Sequence, residues 1–170
     1  MHDQLAIVRR IQLGMMQKMA DIMGNVLKNV TEEQAKTLRD GLEGWTVLEV
    51  LCHVRDFDGY FRERARMMLN QDHPELPAYD HEALVIENKY NEQDFAYVFD
   101  SYIDSRRKTI EFFEALTDEQ WERTGIHPER GYFTMTDAAL QVNGHDADHL
   151  EQITRILEQE LPGSGSLPSA

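Results

Sequence analysis

His145 and His149 lie four residues apart in the run His145-Asp146-Ala147-Asp148-His149. At roughly 100° per residue, four steps of a helix return to within about 40°, so both rings leave one face on successive turns. With His145 set to zero on that wheel, Ala138, Val142, Ile153, Ile156 and Leu157 fall within about 20–120°. The two imidazoles therefore border the core-facing arc, with Gln152 just beside them. His53 sits at the margin of a second apolar arc made by Val50, Val54, Phe57 and Phe61. Three imidazoles aimed at one interior from two helices are the pattern of a tripodal metal site with a position left open for water or substrate.

The other histidines carry weaker arguments. His73 and His127 each precede a proline and read as exposed loop residues, His81 could begin a helix, and His2 stands near the start of the chain. Several chemistries are excluded by pattern. The run at 145–149 lacks the glutamate of His-Glu-x-x-His, and no Glu-x-x-His, phosphate loop, Gly-x-Ser-x-Gly elbow or dinucleotide fingerprint occurs. Cys52 adjoins His53, but neighbouring helical residues point about 100° apart, so Cys52 reads as a buried structural thiol.

The elements that must carry these residues follow from helical periodicity. Ile7, Ile11, Met15, Met19, Met23 and Leu27 step by four and predict a first long helix with that stripe facing the core. Thr31–Gln34 reads as the capping box of a short helix, and Thr46–Glu49 as that of a second long helix running to about Asn70. Trp45, just before that cap, reads as a staple packed at the helix entrance. Residues 71–80 hold two prolines and no period, which predicts a loop. Asn91, with Asp94 three residues on, predicts the cap of a third long helix with Phe95, Val98, Phe99, Tyr102, Ile103, Ile110 and Phe113 buried. Thr117–Gln120 caps a single turn bearing Trp121, residues 124–133 read as loop, and a fourth long helix runs from about Thr134 to Glu160. No strand-like alternation is apparent. The reading is an all-α four-helix bundle, with a long connection between the second and third long helices that permits a crossover. Residues 1–161 form the expected domain, and 162–170 a flexible tail.

Composition narrows the partners. The chain has 170 residues, with Lys+Arg 17 against Asp+Glu 31, a formal charge of −14. Such a charge argues against nucleic acid or an anionic membrane surface, since both would repel it. No apolar run approaches the roughly 20 residues of a membrane span, and the first residues lack the basic and apolar regions of a secretory signal. A single cysteine suits a reducing compartment, so a cytoplasmic location is expected.

Beyond these patterns, the chain resembles a known family. Gly44-Trp45-Thr46-Val47-Leu48-Glu49-Val50-Leu51-Cys52-His53 is similar to the opening of the second helix in DinB-like (YfiT-like) proteins. His127-Pro128-Glu129-Arg130-Gly131-Tyr132-Phe133-Thr134 resembles their loop before the last helix, and 143–153 resembles their closing His-Asp-x-x-His-x-x-Gln-Ile. The resemblance implies a bundle of up-down-down-up order, a homodimer, and a divalent metal, zinc or nickel, on His53, His145 and His149. It implies a small-molecule substrate and either a thiol S-transferase using a low-molecular-weight thiol or a metal-dependent hydrolase. A third reading is a non-catalytic, stress-related metal-binding dimer. Asp56, Asp146, Asp148 and Gln152 are the candidates to orient the ligands from behind.

Overall fold

The structure is a computed structural model that describes residues 2–159, with no account of the side chains of His2 and Asp3. The expected tail at 162–170 lies outside the described residues. Four long helices, α1 (His2–Leu27), α3 (Val47–Asn70), α5 (Phe95–Glu114) and α7 (Met135–Glu158), form a four-helix bundle. Shorter helices α2 (Glu32–Thr37), α4 (His81–Glu87) and α6 (Asp118–Trp121) fill the connections, with a 3-10 turn at Tyr90–Glu92. The main pairings are α3 with α5 and α7, and α1 with α7 and α5. The chain thus crosses the bundle between its first two long helices instead of packing each helix on the next.

Local chemistry sets the helix starts. Thr31, Thr46 and Thr117 each close a capping box with the residue three positions on, and Thr134 does the same with Asp137 at the head of α7. The cap of α5 differs from expectation. Asp94 itself accepts from the Tyr97 N–H at 2.7 Å, while Asn91 is drawn away to the Thr46 hydroxyl and the Lys36 carbonyl.

Residues 124–134 are also not a loop. Strands β1 (Thr124–His127) and β2 (Gly131–Thr134) pair antiparallel with Thr124 opposite Thr134 and His127 opposite Gly131. Four-residue strands are too short to display an alternation, and only Gly131, at φ 71°, marks the turn. The 71–80 connection docks on this hairpin, Leu76 donating its N–H to the Ile126 carbonyl and Ile126 donating to that of Pro74. Gly125 permits the approach: a Cβ there would stand 3.1 Å from both Met68 Cγ and the Pro74 carbonyl oxygen.

Two apolar clusters form the core, one around Leu51, Val54, Tyr102 and Ile153, the other around Phe57, Phe61, Phe113 and Val142. In α1 the buried residues are Met16, Met19, Ala20, Met23 and Leu27, whereas Ile7, Ile11 and Met15 are exposed. The reason is geometric: a strict step of four drifts about 40° each time, so the stripe leaves the core within a few turns. On α5, Ile103 is likewise exposed, and the inward line is completed by Arg106 and Thr109.

Arg106 occupies the junction of the two clusters and is 2% exposed. Its Nε lies 3.1 Å from both Asp58 carboxylate oxygens, its Nη2 donates to Asp146 Oδ1 at 2.7 Å, and its Nη1 reaches Asp146 Oδ2 and the Met16 carbonyl. Burial alone would lower the pKa of the guanidinium, but the two carboxylates hold it well above the ordinary value. Removing the cation would leave two buried carboxylates facing each other. Arg106→Met is expected to cost about 3–5 kcal/mol in urea denaturation, and the added replacements Asp58→Leu and Asp146→Leu to recover much of that loss.

Candidate metal centre

α3 supplies His53, which is 2% exposed, and α7 supplies the half-buried His145 and His149. One ring nitrogen from each lies within 4.8 Å of the others. His53 Nε2 and His145 Nε2 stand 2.9 Å apart, and the ring centroids of His53 and His149 are separated by 4.6 Å. Burial pushes all three pKa values down, reinforced at His53 and His145 by repulsion from the neighbouring imidazoles, and that of His53 falls to about 2. The rings are therefore neutral at neutral pH, and each has one ring nitrogen free of a proton.

His149 is oriented from behind. Its Nδ1 lies 2.9 Å from Gln152 Oε1, and Gln152 Nε2 donates to Asp40 Oδ2 at 3.1 Å. A carboxylate only accepts, so the amide nitrogen must face Asp40 and the amide oxygen must face the ring. That order places the proton of His149 on Nδ1 and leaves its Nε2 as a bare donor atom. Asp40 is itself held by Arg155, whose guanidinium keeps the carboxyl below its usual pKa.

The sites of the other candidates differ. Asp146 faces away from the imidazoles into the Arg106 cluster, and Asp56 accepts from Arg55 Nε and the Tyr90 hydroxyl. Asp148 is exposed at the rim of a cleft of about 520 Å³ that His145 lines. Cys52 is buried, directs its thiol to the Tyr90 carbonyl, and has its pKa pushed up to about 12, which leaves it inert as a nucleophile.

Two further rings flank the cluster, a placement that helix spacing alone did not reveal. His81, at the head of α4, stacks on Phe57 with centroids 4.7 Å apart and lies 5.2 Å from the His53 ring. Trp45 packs on the core but also lies 4.9 Å from His53, stacks 6.4 Å from His149, and donates its indole N–H to Glu82. It roofs the imidazoles as well as stapling the helix entrance. The reading of His127 as an exposed loop residue is also overturned: it ends β1, is 3% exposed, lines the cleft and lies against Arg64.

The three rings pass a test of fit for a divalent metal. Neutral imidazoles are borderline-soft donors suited to zinc, nickel or copper. The Nδ1 atoms of His53 and His145 are buried without a hydrogen-bond partner, so these rings are not held by a polar network of the fold. Among the described residues this is the one cluster of such donors close enough to share an ion.

Known proteins share this framework. A candidate metal-dependent hydrolase of Oceanobacillus iheyensis is 23% identical over 133 residues, 77% of this chain and 75% of that protein. The structure of YfiT from Bacillus subtilis, described as a candidate metal-dependent hydrolase with an unusual four-helix bundle topology, superposes with a TM-score of 0.78. Identity to it is 22%, over 89% of this chain and 86% of that one. The mycothiol-dependent maleylpyruvate isomerase superposes with a TM-score of 0.72 at 12% identity, over 85% of this chain and 60% of that one. Residues 15–153 match the DinB superfamily, and the chain belongs to it.

Proposed function

We propose that the chain is a metal-dependent enzyme in which His53, His145 and His149 hold one divalent ion, zinc or nickel, beside the cleft. The observation that carries this reading is the convergence of three neutral imidazoles, one of them fixed in its tautomer through Gln152 and Asp40. Three protein ligands leave a position open, whereas a structural zinc site is normally closed by a fourth. Such an ion, when bound, supplies Lewis-acid chemistry and lowers the pKa of a thiol or water in the open position.

The preferred activity is transfer of a low-molecular-weight thiol to a small electrophile. Cys52 is buried and protonated, so a thiol used here has to come from outside the chain. The cleft gives such a co-substrate and its partner a place at the cluster, and a thiol-dependent enzyme is among the structural neighbours. Hydrolysis is the second reading, favoured by the descriptions of the Oceanobacillus and Bacillus relatives. A screen of bacterial thiols against electrophiles separates the two: turnover that requires thiol supports transfer, and thiol-independent cleavage supports hydrolysis.

After dialysis against a mild chelator, the wild type is expected to retain about one divalent ion per chain. His149→Ala, which removes one of three ligands, should lose metal affinity by orders of magnitude while the helix persists, since alanine favours helix. His73→Ala, at an exposed residue of the 71–80 connection, should match the wild type. Full occupancy in His149→Ala would overturn the ligand assignment.

Burial of the neutral rings also gives a pH signature. An unfolded chain binds protons on histidine below about pH 6.5, while the native rings resist them, so stability of the metal-free protein should fall as pH drops through that value. The slope is up to about 1.4 kcal/mol per pH unit for each ring. Urea denaturation at several pH values in EDTA checks it, and His149→Ala should flatten the slope.

The exposed Ile7, Ile11 and Met15 on α1 support a homodimer. Light scattering should then give twice the chain mass of 19.8 kDa, and a monomer mass at micromolar concentration would refute it.

A further inference from the structure

Arg64 is a second buried guanidinium, 6% exposed, on α3 three turns beyond His53. Unlike Arg106 it has no carboxylate within ion-pair distance among the described residues. Its Nε and Nη2 both donate to the Pro77 carbonyl oxygen, at 3.1 and 2.6 Å, and its Nη1 donates to His127 Nε2 at 3.1 Å. Three of the five N–H groups are thereby used and two are left over. The Tyr79 ring lies 5.0 Å from the guanidinium carbon and covers one face. Burial pulls its pKa below the ordinary value, as expected of a cation lacking a counter-ion.

The side chain lines the same cleft as His145. Phe57, Phe61 and Phe133 supply an apolar wall of that cleft, and Arg130 adds a second positive charge on the exposed hairpin turn. The acidic residues around it are engaged elsewhere or peripheral: Asp137 caps α7 through Thr134, and Glu129 and Asp148 are exposed. A buried cation without a partner is costly, and a protein that pairs one such arginine with two carboxylates has the means to pair the other.

We propose that Arg64 is the anion-binding residue of the cleft, and that the substrate is a small acid whose carboxylate pairs with this guanidinium while its apolar body lies against the phenylalanine wall. The placing of the acid's reactive end at the three imidazoles rests on the metal site proposed above; the anion site itself does not. His127 is a positioning residue here. Its Nε2 lies 3.1 Å from Arg64 Nη1 and its Nδ1 faces the Glu129 backbone N–H at 3.3 Å, so the hairpin turn fixes the ring at the outer edge of the guanidinium.

The test is calorimetric titration of benzoate, phenylacetate and 3-phenylpropionate, each beside its uncharged amide, into the protein as purified and after EDTA dialysis. At least one carboxylate should bind roughly ten- to hundredfold tighter than its amide in both preparations, the range of a charge-assisted pair. Arg64→Met should abolish that preference, and Arg64→Lys, which keeps charge but loses the planar fork, should weaken it. The side-chain Nε–H resonance of Arg64 in the wild type, identified by its loss in Arg64→Lys, should shift with the acid and not with the amide. This readout stands even where Arg64→Met fails to fold. No acid outbinding its amide, or an unmoved Arg64 resonance, overturns the inference. A preference that vanishes with EDTA and survives in Arg64→Lys assigns the anion to the metal, which overturns the inference and leaves the proposed function standing. A preference kept by a protein that binds no metal does the reverse.

Discussion

All four long helices meet at the Arg106 guanidinium. It comes from α5, and it bonds Asp58 of α3, Asp146 of α7 and the Met16 carbonyl of α1. A charge this deeply buried is tolerable only if each partner stays in place, so the pairing fixes the rotation of every helix that supplies one. Apolar packing specifies rotation less tightly, because a methionine- and phenylalanine-rich core accommodates small slips. Asp146 directly follows His145. With its carboxylate pinned to the bundle centre, the neighbouring ring is turned about 100° aside, towards the cleft and His53. The buried cation also helps to keep the His145 imidazole neutral, after burial and the other histidines.

Much of this is legible in the chain and some is not, for reasons that can be named. The i, i+4 spacing of His145 and His149, and the capping boxes at Thr31, Thr46 and Thr117, are local signals, and helix geometry converts them into structure almost without tertiary information. Gln152 falls on the ligand face by the same arithmetic and does contact His149. Asp40 does not, because its contact with Gln152 spans 112 positions and no pattern links them. Arg106 and Arg64 escape for another reason. Hydropathy assigns a lone arginine in an apolar stripe to solvent, and only the tertiary partners show that the stripe includes it. The hairpin at 124–134 is too short for alternation, and the 71–80 connection that docks on it is remote in sequence.

The two buried arginines show the same electrostatic cost met in opposite ways. At Arg106 the fold supplies both counter-charges, and the result is a rigid junction with no access to the cleft. At Arg64 the fold supplies a carbonyl oxygen, an imidazole and an aromatic face, which satisfy hydrogen bonds and solvate the cation without neutralising it. That division follows the architecture. Arg106 lies where four helices converge, while Arg64 lies where α3 passes under the 71–80 connection and the hairpin. These peripheral pieces form the outer wall of the cleft, so the hairpin that the sequence did not reveal helps to shape what can enter.

The division between bundle and wall also separates the chemistry. The imidazole cluster draws on α3 and α7 alone and inherits their rigidity through Arg106, which suits ligands that must hold one geometry. In the anion site proposed for Arg64, recognition falls to elements held by a few hydrogen bonds, such as Leu76 to Ile126 and Arg64 to Pro77. Elements of that kind can change length and sequence without disturbing the helices behind them. A bundle built this way can keep one reactive centre while its wall is altered to admit different substrates. The wall of this chain presents an uncompensated cation and phenylalanine rings, which fit it to a small acid with an apolar body better than to a neutral polar molecule.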